Sequence, residues 1–530
     1  MIEHRLKGGV AILSAALASC TIYRTPRVAP LAAPATGTPA VVQSPVKVHL
    51  LDGSTAVYPL GVIVARDTVR GARTTPNALR YGLSLEVVGP AGSIPLDSVV
   101  GMESYQDAVN VPATAILTTL AVGASALGVA ATIVAISCIN NPKCFGSCPT
   151  FYSDSAGTAV LEAEGFSYSI APLFEARDVD RLRAQADGAG DLRLEVRNEA
   201  FETHYINHLG LLEVRHGVDE LVLPGPRDEP LATSGFASPA AARDRAGHDV
   251  LPDLLAADGR TFRSSPATLD HVTAADANDY IDLTFPAPAG RDTVALVFRM
   301  RNSLLNTVLL YELMLGDPGV RSLDWLGRDL QQIGPAARLG RWYVEHMGMR
   351  VAVRDGAVLK EVARIPDTGP VAWKDVAVLV PVPAGDSLRV RLSFPADDWR
   401  IDQVRLARDV RRPPVRTIES VQVTTADGTE DMTALASLRA VDERYLVTSP
   451  GQRFWLRFHP GPTAGDSSRT FLLSSQGYYI EWLRGSWVRS EQLAATFEPS
   501  DDALVQTMRR WRAEADDLER RFAATRVPVR

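Results

Sequence analysis

Cysteine is scarce in this chain, with four thiols among 530 residues against 35 prolines and 39 glycines. A disulfide-stapled scaffold is thereby excluded, and the fold has to rest on packed apolar cores. Histidine is also sparse, at 9 residues, and the sequence contains no HExxH helix, GxSxG elbow, GxxxxGK[ST] phosphate loop or EF-hand loop. The familiar metalloprotease, serine hydrolase, phosphate-loop and EF-hand chemistries are absent with them. Positive charge is in deficit: Lys and Arg number 55 against 62 Asp and Glu, and the net −7 is interspersed rather than blocked. Nucleic acid is not an expected partner, because it needs a basic face. These absences predict a protein without catalytic residues or a cofactor, while 46% hydrophobic residues suffice for several buried cores.

One stretch lacks charge altogether. Residues 108–142 contain no Asp, Glu, Lys, Arg or His, and 113–136 are apolar or small at nearly every position. At about 1.5 Å per residue this centre, as a helix, spans the roughly 30 Å hydrocarbon core of a bilayer. Membrane insertion is one reading and a buried helical hairpin is the other. Gly123 and Gly128 can break the run, and Ala124-x-x-x-Gly128 and Gly128-x-x-x-Thr132 give the small-residue spacing of close helix approach. The same spacing points to a homo-oligomer formed through this run.

The amino-terminal end sets the expected compartment. His4, Arg5 and Lys7 precede an apolar run over 10–17, and Leu17-Ala18-Ser19-Cys20 follows, in the order of a secretory signal. These last four residues resemble the bacterial lipoprotein signal at every position. The resemblance implies cleavage before Cys20, a diacylglycerol on its sulfur and an acyl chain on the new amino terminus, an anchor that a single chain would not provide. Thr21, where Asp would retain the protein at the inner membrane, resembles the Gram-negative group sent to the outer membrane. With Cys20 lipidated, Cys138, Cys144 and Cys148 remain. They predict one local disulfide and one free thiol, Cys144 with Cys148 and Cys138 with Cys148 both fitting. A metal site there would need a fourth ligand, and no His, Asp or Glu follows closely before Asp154, so no metal is expected.

The predicted fold is mainly β and multidomain: a small barrel or sandwich module, one long apolar helix, then two or three antiparallel sandwich-like domains with a short helical insert and a C-terminal amphipathic helix. Residues 1–19 are the signal and 20–45 a tether, with Pro26, Pro30, Pro34, Pro39 and Pro45 stiffening it. The module covers 46–106. There Val46, Val48 and Leu50 alternate with Lys47 and His49, Asp52-Gly53 marks a hairpin, and further strands are expected near Val62, Val69, Leu83–Val87 and Ile94. A β-domain over 143–301 takes strands around Leu194, Leu283 and Leu296, with long loops over 225–275. A helical connector covers 302–348, two short helices meeting at Gly334-Pro335. A sandwich over 349–412 closes with Asp397-Asp398-Trp399-Arg400-Ile401-Asp402, which resembles the last strand of jelly-roll carbohydrate-binding modules. Another β-domain covers 413–497. In 498–530, Leu504, Met508, Trp511, Ala515, Leu518 and Phe522 recur at steps of four and three behind a Ser500 cap, which fits docking on the chain's own domain or a coiled coil.

Candidate sites are few. Glu202, His204, His208 and His216 have a spacing that can bring two histidines to one face as a zinc pair, although histidines in a β-domain are ordinarily hydrogen-bonded structural groups. Asp276-Ala277-Asn278-Asp279 offers oxygen ligands for calcium, or a plain turn. Tyr478, Tyr479, Trp482 and Trp487 can stack on sugar faces if exposed, or pack in a core. Finally, Cys148-Pro149-Thr150-Phe151-Tyr152, Glu162-Ala163-Glu164-Gly165-Phe166, Glu199 to Tyr205, and Ser475 to Trp482 resemble segments of uncharacterised predicted bacterial lipoproteins. That resemblance implies an exported β-rich protein and assigns no catalytic residue. The expectation is a lipid-anchored envelope component that is structural or binds a ligand, with a polysaccharide binder and an unrecognised hydrolase as the alternatives.

Overall fold

The computed structural model describes residues 39–65, 67–72, 92–105, 149–310, 319–462, 468–483, 499–524 and 526–530. The apolar run 108–142, the expected strand at 83–87, Cys20, Cys138, Cys144, Cys148 and Trp487 lie outside the described residues. Within them the chain is mainly β, with four sheets. No helix among the described residues is long and apolar enough to cross a membrane.

The amino-terminal strands do not close on themselves. β1 (Ala40–Val42), β4 (Val62–Val64), β5 (Thr68–Gly71) and β6 (Ile94–Pro95) form a four-stranded sheet. β2 (Val46–Leu50), β3 (Thr55–Tyr58) and β7 (Val99–Ser104) leave it to extend a sheet of twelve. The hairpin between β2 and β3 turns at Gly53, whose φ of 85° is open to glycine at no steric cost. Of the strands described in the module expected over 46–106, β4, β5 and β6 thus pair within the amino-terminal segment, whereas β2, β3 and β7 continue into the large sheet through β26.

The large sheet is held by two long strands far apart in sequence. β12 (Glu202–His216) pairs antiparallel with β26 (Ser468–Leu483) from Glu202↔Glu481 to His216↔Ser468. Around this pair lie β8 (Thr150–Ser155), β9 (Thr158–Glu164), β10 (Ala176–Arg181), β11 (Leu192–Arg197), β23 (Arg416–Thr425), β24 (Leu446–Thr448) and β25 (Arg453–Phe458). Irregular register at Ile206/His208 and at Ser420/Gln422 bends the sheet so that its two halves face each other. Phe151, Leu194, Ile206, Leu211, Phe454 and Phe471 fill the space between them.

Between β12 and β23 the chain builds a five-on-five sandwich. One sheet runs β13 (Leu221–Pro224), β14 (Pro230–Ala237), β22 (Trp399–Arg411), β17 (Thr293–Asn302), β20 (Lys374–Pro381). The other runs β15 (Ala241–Asp244), β16 (Asn278–Pro286), β21 (Ser387–Pro395), β18 (Met349–Asp355), β19 (Val358–Ile365). Their inner faces carry the alternating apolar residues, with Phe285, Leu296, Phe298, Phe394 and Trp399 fully buried. The expected boundaries at 301/302 and 348/349 fall inside this unit. Alternation reveals a strand but not its partner, and β17 finds both neighbours, β20 and β22, far along the chain. The loops expected over 225–275 hold β14, β15 and the short helix α1 (Pro266–Asp270), which Ser265 caps through Thr268 N.

Helices fasten the units together. α2 (Leu305–Val308) and α3 (Ile333–His346, with Pro335 in its first turn) leave the sandwich and pack against the amino-terminal strands. α4 (Met432–Ser437) is capped by Asp431 and packs between the halves of the large sheet. α5 (Asp501–Ala524) docks on its own chain, burying Leu504, Met508, Trp511 and Leu518 in the same core as α2 and α3.

Candidate functional site

Three strand ends and two helices converge at one end of the sandwich, and the sequence places a polar side chain on each. Asn302 closes β17, Asp367 follows β19 and Asp398 precedes β22, while Asn306 lies in α2 and Tyr343 in α3. All five side chains are buried. The Asp367 and Asp398 carboxyls lie close enough to influence each other's ionisation. Asn302 Nδ2 donates to Asp367 Oδ1 at 3.0 Å and to Asp398 Oδ2 at 3.2 Å. Asn306 Nδ2 donates to Asp367 Oδ2 at 3.0 Å, and the Tyr343 hydroxyl donates to the same oxygen. Asn302 Oδ1 in turn accepts from Thr368 N at 2.6 Å and from Gly369 N at 3.2 Å.

Burial raises Asp367 to about 6, against the lowering effect of the Tyr343 and Asn302 hydrogen bonds. Asp398 is raised well above the ordinary carboxylate range, first by burial and then by the Asp367 charge. Two carboxyls this close in a dry site cannot both ionise cheaply, so the pair favours holding a proton between them.

Asp367 and Tyr343 form the floor of a cleft of about 420 Å³. Its walls are apolar, from Met347 of the α3 end and Val362, Val378 and Leu379 of the sandwich edge, and Arg227, Arg364 and Arg412 stand with Glu229 in its lining. Arg364 is pinned, its Nη1 donating to Val344 O and its Nη2 lying 3.4 Å from Glu361. A cleft of this size, largely apolar with a few convergent polar groups, has the character of a small-molecule site.

The residues singled out from the sequence sit elsewhere. His204 is buried with its Nε2 3.0 Å from Glu202 Oε1. His208 reaches Glu419 at 3.1 Å, and His216 reaches Thr470 Oγ1 at 2.8 Å. The register shift between Ile206 and His208 inserts Asn207, so His208 turns to the opposite face of β12 from His204, and the expected pair does not form. Among the described residues no three His, Cys, Asp or Glu side chains are grouped to hold a metal ion. Asp276 is exposed and paired with Arg245, whereas Asp279 is buried at the start of β16, so these two acids do not converge either.

The aromatic candidates are packed. Tyr479 is fully buried, and its hydroxyl donates to Ser167 O at 3.3 Å. Tyr478 stacks on Tyr205 at 4.7 Å, and Trp482 stacks on His49 at 3.7 Å while its Nε1 donates to Thr203 Oγ1 at 2.9 Å. The acid pair and its partners were missed by sequence reading because the five residues come from five separate elements. The available signal was local: Asn302 and Asp398 are polar residues at the buried ends of apolar strands.

No protein-family model and no curated protein matches the sequence. Among solved structures the chain is similar to the GH31 alpha-xylosidase from Xanthomonas citri, over 61% of this chain and 29% of that one, at 10% identity and a TM-score of 0.14. A likeness at that score carries no argument about fold or activity.

Proposed function

We propose that this is a lipid-anchored component of the cell envelope, held by Cys20, that binds a ligand in the cleft above Asp367 and does not turn it over. The observation behind the non-catalytic reading is that Asp367, the acid lining the cleft, accepts hydrogen bonds at both oxygens. A general acid or base needs a proton or lone pair free to meet the substrate. Asp367 Oδ1 already accepts from Asn302, and Oδ2 accepts from both Asn306 and Tyr343. The network fastens α2 and α3 to the mouth of the sandwich and so builds the cleft wall.

A hydrolase is the second reading, because a raised acid on a cleft floor is also how catalytic carboxyls are prepared. One experiment separates the two. Purified protein is offered envelope polysaccharides, with retention in affinity electrophoresis and release of reducing ends measured in parallel. Retention without product is the expected result, and product release that disappears in Asp367→Asn would favour the hydrolase. The anchor is tested separately: Cys20→Ser should abolish labelling by a tagged fatty acid and release the protein from the membrane fraction. Unchanged labelling and fractionation would refute it.

A further inference from the structure

A second cleft, of about 320 Å³, lies where β10 meets the β14–β22–β17–β20 sheet. Arg181, Arg183, Arg299 and Arg405 line it, and Asp375 is its one acidic lining residue. The guanidinium groups are unequally satisfied. Arg299 reaches Asp375 at 3.1 Å and Asp402 at 3.3 Å. Arg181 shares Asp375 at 3.3 Å, and Arg183 donates to Leu161 O at 2.7 Å with Glu162 3.8 Å away. Arg405 lies over the Phe236 ring at 4.4 Å and has no ion pair among the described residues. Nε of Arg405 and Nε of Arg181 are both buried without a hydrogen-bond acceptor among the described residues. Counting Asp402 and Glu162 with Asp375, four guanidiniums face three carboxylates, and the excess charge sits on Arg405. Burial lowers the pKa of Arg405, the nearby Asp375 charge offsets this in part, and the Arg181 charge lowers it further.

We infer that this cleft binds a small acid through its oxyanion group, a carboxylate or a phosphate. Two guanidiniums that share one carboxylate leave fork positions unfilled, and Arg405 has no carboxylate within ion-pair distance among the described residues. An oxyanion seated against Arg405 accepts from the guanidinium N–H groups that face the cleft, and it neutralises charge that Asp375, already shared by Arg181 and Arg299, leaves in excess. Leu221, Val297 and Ala257 supply apolar contact for the body of the ligand. Arg183 is 53% exposed along its side chain and marks the solvent side, so the site is open to a diffusing ligand. This inference is independent of the cleft over Asp367.

The test is titration calorimetry of the purified chain at low salt with inorganic phosphate and, separately, glucuronate. The two probes distinguish a phosphate from a carboxylate preference. Arg405→Gln should weaken binding of the preferred probe about tenfold, the scale of one lost charge-assisted contact. Asp375→Asn should tighten it severalfold, because it frees Arg181 and Arg299 and removes the acid that competes with the ligand. The opposite signs separate a binding effect from damage to the fold. Absence of binding by either probe at millimolar concentration, or an Arg405→Gln protein that binds as the wild type does, would overturn the inference.

Discussion

A carboxyl raised to about 6 and a carboxylate held at about 2 drive stability in opposite directions with pH, and Asp367 and Glu103 are such a pair of residues. Burial would raise Glu103 as well, but Lys47, His49 and Thr203 outweigh it. Its folded pKa lies below the unfolded value, so its contribution, roughly 3 kcal/mol, is present above the unfolded pKa and lost as pH falls towards 2. Asp367 works the other way. The folded state holds its proton more tightly than the unfolded chain does, so stability is fully present below about pH 4 and declines as pH rises through about 6. Asp398 extends that decline to higher pH. Asp398→Asn keeps the shape and a donor while removing an acid whose own raised titration penalises the folded state as pH rises. The unfolding free energy of the variant relative to wild type should therefore climb between pH 4 and pH 8, by on the order of 1–3 kcal/mol. Urea unfolding at a series of pH values measures this, and a difference that stays flat with pH would mean that the two acids do not titrate as a pair.

Among the elements, α5 shows what periodicity can and cannot reveal. Its steps of four and three marked the buried stripe, and Leu504, Met508, Trp511 and Leu518 are buried as that stripe requires. The face it meets was not legible, because Trp511 Nε1 donates at 2.7 Å to Asp397 Oδ2, a residue over a hundred positions earlier. Asp397 holds a φ of 61°, a left-handed conformation that Asp tolerates better than most residues, and it is braced by Arg400 at 2.8 Å and Ser264 Oγ at 2.8 Å. Strands followed the same logic: period two located β2, β11, β16, β17, β21 and β25, yet the bulge at Asn207 and the partners of β17 depend on contacts that no local pattern encodes. Trp511→Ala should cost roughly 3–5 kcal/mol, since it opens a cavity where α5 meets the core. Trp511→Phe keeps most of the ring but strands Asp397, and should cost about 1–3 kcal/mol. Chemical denaturation gives both values; equal losses in the two variants would mean that the hydrogen bond, rather than the ring, holds the helix.

For the whole molecule, the decisive feature is that strands from both sides of the apolar run belong to one sheet. β7 ends at Ser104 and β8 begins at Thr150, and the order β3-β2-β7-β26-β12-β23-β25-β11-β8-β9 carries both. β7 reaches β26 through Glu103↔Trp482 and Met102↔Leu483. The junction is reinforced by Thr203 Oγ1 donating to Glu103 Oε2 at 2.5 Å and by the His49 ring stacked on Trp482. Strands on opposite sides of a bilayer cannot share backbone hydrogen bonds, so a single crossing by 113–136 is incompatible with this sheet. Residues 39–105 and 149–530 must then occupy one compartment. On the proposal that Cys20 carries a lipid, which would place the amino-terminal segment outside the inner membrane, the whole β-assembly is expected outside the cytoplasm. Fusing a reporter active only outside the cytoplasm to Arg530 should give signal, and a cytoplasm-only reporter at the same position should stay silent. Glu103→Lys supplies the internal control: it destroys the β7 junction, so the fold should weaken while the side on which Arg530 lies stays unchanged. A silent external reporter with an active cytoplasmic one would show that the chain crosses once, and that β7 and β26 are not partners in the cell.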